Sequence, residues 1–148
     1  MALDPSFVGH SYPPAPPYLV GREKIREFAD AIGAQDAVYR DPAAAAALGY
    51  PDIIAPPTFP FMVSMLASQA VIDYPELGVD YSRVVHGEQR FSYVRPVLAG
   101  DRLVCVCVVE EAMNRAGLGF LTTRTEVATE TGELVVTVWS RLVVRAEG

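Results

Sequence analysis

Residues 60–73 are the segment that most limits how this chain can fold. They read PFMVSMLASQAVID, and apolar side chains occur on nearly every side of the helix that this segment predicts. A helix at a protein surface keeps one polar face, so a helix that is apolar all round is expected to be buried. The sequence contains no other long segment of this kind, and the rest of the chain must therefore enclose it.

The chain beyond Tyr81 is predicted to form the strands that enclose this helix, because apolar and polar residues alternate along four segments. Alternation is typical of half-buried strands, and turn signals at 114–117 and 131–132 separate the last three. The four segments are VVHGEQRFSYVRPV, DRLVCVCVVEEAMNRA, LGFLTTRTEVATETG and ELVVTVWSRLVVRAE. We expect an antiparallel meander that curls around the apolar helix, which is an α+β architecture of the hot-dog type. Such a sheet has an open edge, and pairing of two edges across a two-fold axis predicts a dimer.

The first third of the chain predicts an extended lead-in and two helices. The proline-rich YPPAPPY cannot form regular helix and is expected to pack on its own domain. Residues 20–33 have helical apolar spacing and end at Gly33, a typical C-cap residue. A second, short helix is predicted after Asp41, with Pro42 in its first turn. Neither a repeat nor a linker is visible, so residues 1–148 are interpreted as one domain.

Composition excludes several classes of function. The 148 residues are 51% hydrophobic, and 12 basic against 18 acidic residues give a net charge of −6, which disfavours nucleic-acid binding. The N-terminal segment is not typical of a secretory signal, and no apolar run is long enough for a membrane span. Cys105 and Cys107 alternate with valine, so both thiols are predicted on one strand face, reduced, in a cytoplasmic protein. No metal site or cofactor is predicted.

Three stretches carry a resemblance to a known family: residues 20–33, YPDIIAPPTFP at 50–60, and VVHGEQRFSYVRPVLAGDRL at 84–103. They resemble the MaoC-like R-specific hydratases and dehydratases. The chain is more closely similar to small actinobacterial proteins with a fatty-acid-synthase-type dehydratase domain. These include accessory subunits of the two-component (3R)-hydroxyacyl-carrier-protein dehydratase. The resemblance implies a hot-dog fold and an acyl thioester substrate, carried by acyl carrier protein or coenzyme A.

The same resemblance locates the family's active-site loop at GAQDAVYRDP, residues 33–42. Catalytic members carry an Asp, then Asn-Pro, then a His five residues after the Asp, followed by Asp-Pro. In this chain YRDP fixes the register. Tyr39 then stands at the position of the catalytic His, Ala34 at that of the Asp, and Asp36 at that of the Asn. The family's Ala-His-Gly before the buried helix is replaced by Ala-Pro-Pro at 55–57.

These replacements remove the groups that dehydration needs. A base must take the C2 proton, and an acid must protonate the leaving hydroxyl. Histidine has an ordinary pKa of about 6.5 and suits the first task, whereas tyrosine, at about 10, is a poor base. Ala34 has no proton to give, and Asp36 lies two residues from the required position. We therefore interpret the loop as an active site without its catalytic groups.

Other residues offer weaker candidates for chemistry or substrate contact. His86 and Glu88 lie two apart on a strand, so we expect them on one face, where they could act as an acid–base pair or line the site with Gly87 and Gln89. His10 lies in the lead-in and is expected at the surface. A basic patch near the loop could dock the carrier's phosphates; its members are Arg22, Lys24, Arg26 and Arg40.

The segment before the apolar helix is expected to line an acyl tunnel near a subunit interface. Aliphatic and aromatic walls are predicted at Ile53, Ile54, Phe59 and Phe61. Tyr39 is expected to contact the substrate from the loop, and Pro56 and Pro57 are expected to contact it from the segment before the helix. Pro56, Pro57 and Pro60 remove N–H donors from the helix start, which weakens oxyanion binding there.

Three hypotheses remain open. The chain is the substrate-binding, non-catalytic half of a heteromeric dehydratase, with the Asp and His on a second hot-dog subunit. Alternatively, it is a homodimeric acyl-binding module without a reaction. The third hypothesis is a self-sufficient dehydratase or thioesterase that uses His86, Glu88 or Asp36.

Overall fold

A computed structural model describes residues 2–145 and contains three α-helices and five strands within that range. The helices are α1 (Arg22–Ala31), α2 (Pro42–Ala47) and α3 (Phe59–Ile72), and the strands are β1 (Tyr18–Leu19), β2 (Val84–Tyr93), β3 (Arg102–Arg115), β4 (Leu118–Thr129) and β5 (Leu134–Arg145). Both predicted N-terminal helices are confirmed. Gly33 has a φ of 72° just past α1, and the Asp41 carboxylate accepts a hydrogen bond from the Ala43 N–H at the start of α2.

All strand pairs are antiparallel, and their order across the sheet is β1-β3-β4-β5-β2. The predicted meander is correct for β3, β4 and β5 but wrong for β2, which pairs with β5 at the far side. The reason lies in residues 94–101, which form a crossing segment instead of a tight hairpin. In this segment Val97 accepts a hydrogen bond from Ala55, and Gly100 donates one to Val20. Alternation identifies a strand, but it does not identify its neighbour.

The two edges of the sheet differ. The lead-in covers the edge at β3, where β1 pairs with the strand's first residues and the N–H of Gly9 donates to the Val109 carbonyl at 2.8 Å. This confirms that the lead-in packs on its own domain. His10 is exposed there and meets Phe7 edge-on. At the other edge, no residue within 2–145 pairs with the outer side of β2.

Helix α3 lies across the concave face of the curled sheet, which confirms the predicted hot-dog architecture. One helix face is buried, through Phe59, Val63, Ala67 and Val71 at successive turns. The opposite face is not enclosed, because Met65 is 42% and Leu66 61% exposed. The expectation of full burial is therefore correct for one face only, since a five-stranded sheet covers one side of a helix.

The two cysteines lie on β3 where the alternation predicted them. Both thiols are buried on the concave face and are free. Burial raises the pKa of Cys105 to about 12, so this thiol stays protonated and unreactive. No helix in the described part of the chain is long and apolar enough to cross a membrane.

Candidate functional site

The loop at 33–42 is a well-bonded structure that contains no catalytic dyad. After α1, the N–H of Ala34 donates to the Ala29 carbonyl at 2.8 Å. The Asp36 carboxylate then accepts from the Val38 N–H at 3.0 Å and caps a short 3₁₀ turn that ends at Tyr39. Asp36 thus serves as a cap through one carboxylate oxygen, which gives it a structural role in the loop.

Arg40 fixes the shape of this loop. Its guanidinium donates to the Asp30 carboxylate at the end of α1 and to the backbone carbonyl of Ala34. A planar guanidinium can serve two acceptors at once, so one side chain joins both ends of the loop. Ala34 stands at the family's catalytic Asp position. Hydrogen bonds of its backbone N–H and carbonyl fix it there.

An apolar cavity of about 280 Å³ opens beside the loop. Its walls come from the loop, from the segment before α3 and from the end of β2. The lining residues are Tyr39, Ile54, Ala55, Pro57, Tyr93, Val94, Arg95 and Pro96. The structure thus brings together three residues that the sequence analysis proposed as substrate contacts, namely Tyr39, Ile54 and Pro57.

Sequence reasoning missed Tyr93, the last residue of β2, and the three residues after it. A signal for them was present, because Tyr93 and Val94 are large apolar side chains at the exposed end of a strand, two residues before Pro96 ends it. The Tyr93 hydroxyl donates to the Pro57 carbonyl at 2.6 Å and ties β2 to the segment before α3. Burial, together with the nearby Tyr39, raises the pKa of Tyr93, so this phenol is neutral and acts as a donor.

Arg95 is the one cationic residue on the cavity wall, and its charge is already compensated. Its guanidinium binds Asp101 at 2.9 and 3.1 Å and Glu133 at 2.8 Å. Both carboxylates raise the pKa of Arg95 above its usual range. The cavity therefore presents apolar side chains and no unpaired charge, which suits an alkyl chain more than a phosphate.

Several predicted wall residues lie elsewhere. Phe59 is fully buried and packs edge-on against Phe28 at 5.4 Å, and Ile53 is equally buried. Both are core residues, so the expectation that they line the tunnel is wrong for the isolated chain. Phe59 faces inward because α3 presents its buried face from its first residue. Pro56 is also buried.

The start of α3 offers few free N–H groups. Pro60 has none, the N–H of Phe59 donates to the Pro56 carbonyl, and that of Phe61 donates to the Thr58 carbonyl. A helix start normally presents free donors to an oxyanion. Here the N–H groups of Phe59 and Phe61 are already hydrogen-bonded to nearby carbonyls. This agrees with the weakened oxyanion binding expected from the prolines of this segment.

His86 and Glu88 do not face the same way, so the predicted acid–base pair is wrong. Their partners in β5 are the adjacent residues Leu142 and Arg141, with a β-bulge at Gly87 between them. The bulge shifts the alternation by one residue and turns the two side chains to opposite faces of the sheet. A Cβ on Gly87 would lie 3.1 Å from a methyl group of Val143 and 3.3 Å from the Arg141 carbonyl, so a side chain there would push these neighbours by a few tenths of an ångström.

His86 lines a separate, small cavity with residues of α3, and Gln89 lies on the same face of β2. The His86 ring meets Phe61 edge-on at 5.6 Å, and Ser140 donates to the Gln89 side-chain oxygen at 2.8 Å. No residue of the loop at 33–42 lines the small cavity that includes His86. The proposed substrate contacts thus form two groups: the loop group around Tyr39, and the group of His86, Gly87 and Gln89.

The predicted basic patch is neutralised by nearby acids. Each of its four members is paired with a carboxylate: Arg22 with Asp52, Lys24 with Glu27, Arg26 with Glu23 and Arg40 with Asp30. The hydrogen bond from Arg22 lowers the pKa of Asp52. A free cationic surface for phosphate is therefore not formed by these residues. Among residues 2–145, no group of three His, Cys, Asp or Glu side chains is arranged to hold a metal ion.

The curled antiparallel sheet over α3, with a loop and an apolar cavity near the start of the helix, defines a MaoC-like hot-dog protein of the dehydratase type. The chain belongs to the family described as FAS1-like, dehydratase domain region, whose model matches residues 6–138.

Relatives of similar length support this assignment. A "UPF0336 protein" of Streptomyces coelicolor is 58% identical over 146 residues, covering 99% of this chain and 97% of the relative. A "UPF0336 protein" of Saccharopolyspora erythraea is 57% identical, covering 98% and 93%.

Two solved structures share the fold and about a third of the sequence. A "MaoC-like dehydratase" has a TM-score of 0.88 at 33% identity; the match covers 95% of this chain but 43% of that one, so this chain spans less than half of its length. The C-terminally truncated HadBC complex, a (3R)-hydroxyacyl-ACP dehydratase of Mycobacterium tuberculosis, has a TM-score of 0.83 at 31% identity. That match covers 93% of this chain and 96% of the HadBC chain.

Proposed function

We propose that this chain is the substrate-binding, non-catalytic subunit of a (3R)-3-hydroxyacyl thioester dehydratase in cytoplasmic fatty-acid metabolism. A second hot-dog subunit would supply the catalytic Asp and His. The observation that carries the proposal is the loop at 33–42. It has the bonding of an ordered active-site loop, but its two catalytic positions hold Ala34 and Tyr39, and Asp36 is occupied as a cap.

The reaction explains why a partner is needed. Dehydration removes a proton from C2 and the hydroxyl from C3 of the acyl thioester, leaving a double bond and water. Hydration is the reverse. Both directions need two proton-transferring groups that reach adjacent carbons. Around the cavity, the titratable residues are the phenols of Tyr39 and Tyr93 and the guanidinium of Arg95. A phenol is a poor base at neutral pH, burial raises the pKa of Tyr93, and Arg95 is held by two carboxylates. None of them suits the task of the base.

In the proposed complex, this chain contributes the cavity that binds the acyl chain of the substrate. Its walls at Tyr39, Ile54 and Tyr93 are apolar or aromatic, and each CH₂ of an acyl chain buried there contributes about 0.8 kcal/mol. Several such groups would set a preference for chain length. The substrate is an acyl thioester carried by acyl carrier protein or coenzyme A.

The similarity to HadBC supports the heteromeric arrangement, because that assembly is described as a complex. The open edge of β2 lies at the end of the cavity wall and gives a second subunit a place to join the sheet. A hot-dog partner bound there would bring its own loop close to the assembled site.

The test is turnover of crotonyl-CoA and of a long-chain enoyl-CoA by the purified chain, alone and co-expressed with a hot-dog subunit that carries both catalytic residues. We expect no hydration by the chain alone and clear hydration by the pair. The partner's His→Ala variant is the matched control and should abolish hydration by the complex.

A wall variant separates substrate binding from a merely structural role. In the active complex, Ile54→Ala should change the ratio of long-chain to crotonyl turnover several-fold and leave crotonyl-CoA hydration nearly unchanged. Turnover by the chain alone that survives rigorous purification would contradict the proposal. Inactivity of the pair combined with acyl binding by this chain would favour the homodimeric acyl-binding module.

A further inference from the structure

The sheet has another cavity on its convex face, away from α3. This convex cavity has a volume of about 190 Å³, and every side chain that lines it carries a polar group. The lining residues are Glu88, Arg90, Thr122, Trp139 and Arg141. Alternation along the strands turns them away from α3, because neighbours such as Ser140 line the small cavity beside the helix. None of the five lines the apolar cavity beside the loop at 33–42, so the convex cavity is a separate site.

Strand register brings these five side chains together. Arg141 of β5 lies between its two register partners, Glu88 of β2 and Thr122 of β4. In the next row, Arg90 of β2 lies opposite Trp139 of β5. Neighbouring strands are about 5 Å apart, so the five side chains share one patch that is three strands wide. The β-bulge in β2 is what places Glu88 in this patch, because it turns that side chain to the convex face.

Two N–H groups in the lining of the convex cavity lack an acceptor. The Nε1 of Trp139 and the Nε of Arg141 are shielded from solvent, and neither has a hydrogen-bond partner within residues 2–145. A buried donor without an acceptor is costly. The nearby Glu111 carboxylate is already engaged, because it lies 3.3 Å from the Arg141 Nη2 and accepts from the Thr122 hydroxyl at 3.1 Å. The two N–H groups therefore require an acceptor that the described chain does not provide.

The convex cavity also holds one cation and one carboxylate whose charges are not compensated. The Arg90 guanidinium lies 4.1 Å from the centroid of the Trp139 ring, and a stacked guanidinium keeps its N–H groups available. Within the part of the chain that the structure describes, neither Arg90 nor Glu88 forms a salt bridge. By contrast, Arg124 and Glu126 on the same face have the same spacing and bind each other at 2.8 Å.

These unused groups define the chemistry of a ligand. The N–H donors of Arg90, Trp139 and Arg141 are matched by a carboxylate, which has two acceptor oxygens and a negative charge. The Glu88 carboxylate is matched by a cationic donor, and it repels an anion with a second negative charge, such as phosphate. A molecule with one carboxylate and one ammonium group matches both requirements. A cavity of about 190 Å³ has room for a small molecule of this kind.

We propose that the convex cavity binds a small α-amino acid as its zwitterion. The carboxylate accepts from Arg90, from the Trp139 indole N–H and from the Nε of Arg141, and the ammonium group donates to Glu88. Both N–H groups are shielded from water, so the carboxylate must move the Arg90 side chain off part of the indole ring. Stacking is the contact that holds Arg90 there, and the carboxylate replaces it with an ion pair.

The inference does not depend on the proposed catalysis. The convex cavity and the acyl cavity share strand β2, but they share no lining residue and lie on opposite faces of the sheet. Binding of an amino acid requires neither a second subunit nor turnover of a thioester. The two proposals can therefore fail separately, because one is measured as ligand binding by the isolated chain and the other as hydration by a complex.

The experiment uses the indole N–H of Trp139, the only tryptophan in the chain, which gives a single indole cross-peak in a ¹H–¹⁵N spectrum. Titration with L-alanine at constant ionic strength should move this peak downfield in a saturable manner, because the N–H gains an acceptor. Acetate lacks the ammonium group and inorganic phosphate carries extra negative charge, so each should bind about fivefold or more weakly. Methylammonium lacks the carboxylate and should leave the peak in place.

Variants of the charged residues test their roles. Arg90→Gln should raise the Kd for alanine about tenfold or more, and Glu88→Gln should remove the preference for alanine over acetate. Arg124→Gln is the matched control, because Arg124 lies opposite Trp139 on β4 but does not line the cavity, so the Kd should not change. Thermal unfolding checks that every variant is folded.

Three results would each overturn the proposal: no saturable shift with alanine in the wild type, equal affinity in Arg90→Gln, or acetate that binds as tightly as alanine. Hydration by the complex would in each case leave the proposed function standing.

Discussion

The loop at 33–42 and the edge strand β2 border the same cavity, through Tyr39 and Tyr93, and they differ in what they leave unbonded. The loop uses its polar side chains internally: Asp36 caps a turn, and Arg40 joins the end of α1 to the loop backbone. Strand β2 leaves a complete backbone edge and two charges without partners in the described chain. The loop therefore uses its polar side chains within the loop and α1, whereas β2 leaves backbone N–H and C=O groups open to a second chain.

Under the proposed function, this difference would let a chain without a catalytic dyad serve a catalytic assembly. A rigid loop with apolar walls can hold a substrate, and an open edge can bring in the residues that act on it. Three variants separate these two roles, and the largest effect is expected in the loop.

Arg40→Ala should disrupt the loop. It removes a hydrogen bond from a charged donor to the Ala34 carbonyl and an ion pair to the exposed Asp30, at a combined cost of about 2 kcal/mol. Urea unfolding measures this cost, and hydrogen exchange should show the loss of protection concentrated at 33–42. Arg26→Ala removes a salt bridge within α1 and should cost below about 1 kcal/mol. Equal costs for the two variants would mean that Arg40 is not a loop clamp.

Tyr93→Phe should loosen the contact between the two regions. The variant loses the hydrogen bond to the Pro57 carbonyl, at a cost of about 1 kcal/mol at neutral pH. The folded protein raises the pKa of Tyr93 above its unfolded value of about 10, so this stabilisation is complete below pH 10 and is lost as pH rises beyond it. The difference in unfolding free energy between wild type and Tyr93→Phe should therefore shrink above pH 10. A difference that stays constant into strong alkali would contradict this assignment.

Leu66→Gln should affect association but hardly affect folding. Leu66 is 61% exposed on the outer face of α3, so the free energy of unfolding of the monomer should change by less than about 0.5 kcal/mol. The dimer Kd, measured by sedimentation, should rise several-fold if this face is covered by a second chain. Leu48→Gln is the matched control, because Leu48 is equally exposed but lies after α2, and its Kd should not change. A stability loss in Leu66→Gln without a change in Kd would show that the face belongs to the folded monomer.

Local features were predictable because they depend on neighbours in sequence. The Asp41 cap, the glycine after α1, the four long strands and the shared face of Cys105 and Cys107 all follow from spacing and turn chemistry. The replacements at Ala34 and Tyr39 were likewise visible, since the resemblance fixed the register of the loop. Tyr39, Ile54 and Pro57 lie around one cavity, and their contact with a substrate stays a prediction.

Features that depend on distant partners were not predictable. The bulge at Gly87 reverses the expected orientation of Glu88, and it is set by how β2 fits Val143 and Arg141 of β5, more than fifty residues away. The neutralised basic patch depends in part on Asp52, which follows Arg22 by thirty residues. Tyr93 lines the cavity because β2 pairs with β5, which places the end of β2 next to Pro57.

The sequence by itself determined the kinds of element, their order, and the absence of the catalytic pair from the loop. These follow from side-chain periodicity and from which groups can transfer a proton. Only the tertiary structure decided which edge of the sheet stays open, which face of α3 stays exposed and where His86 and Glu88 point. Those outcomes depend on strand order and register, which are set by packing between segments that are far apart in the chain.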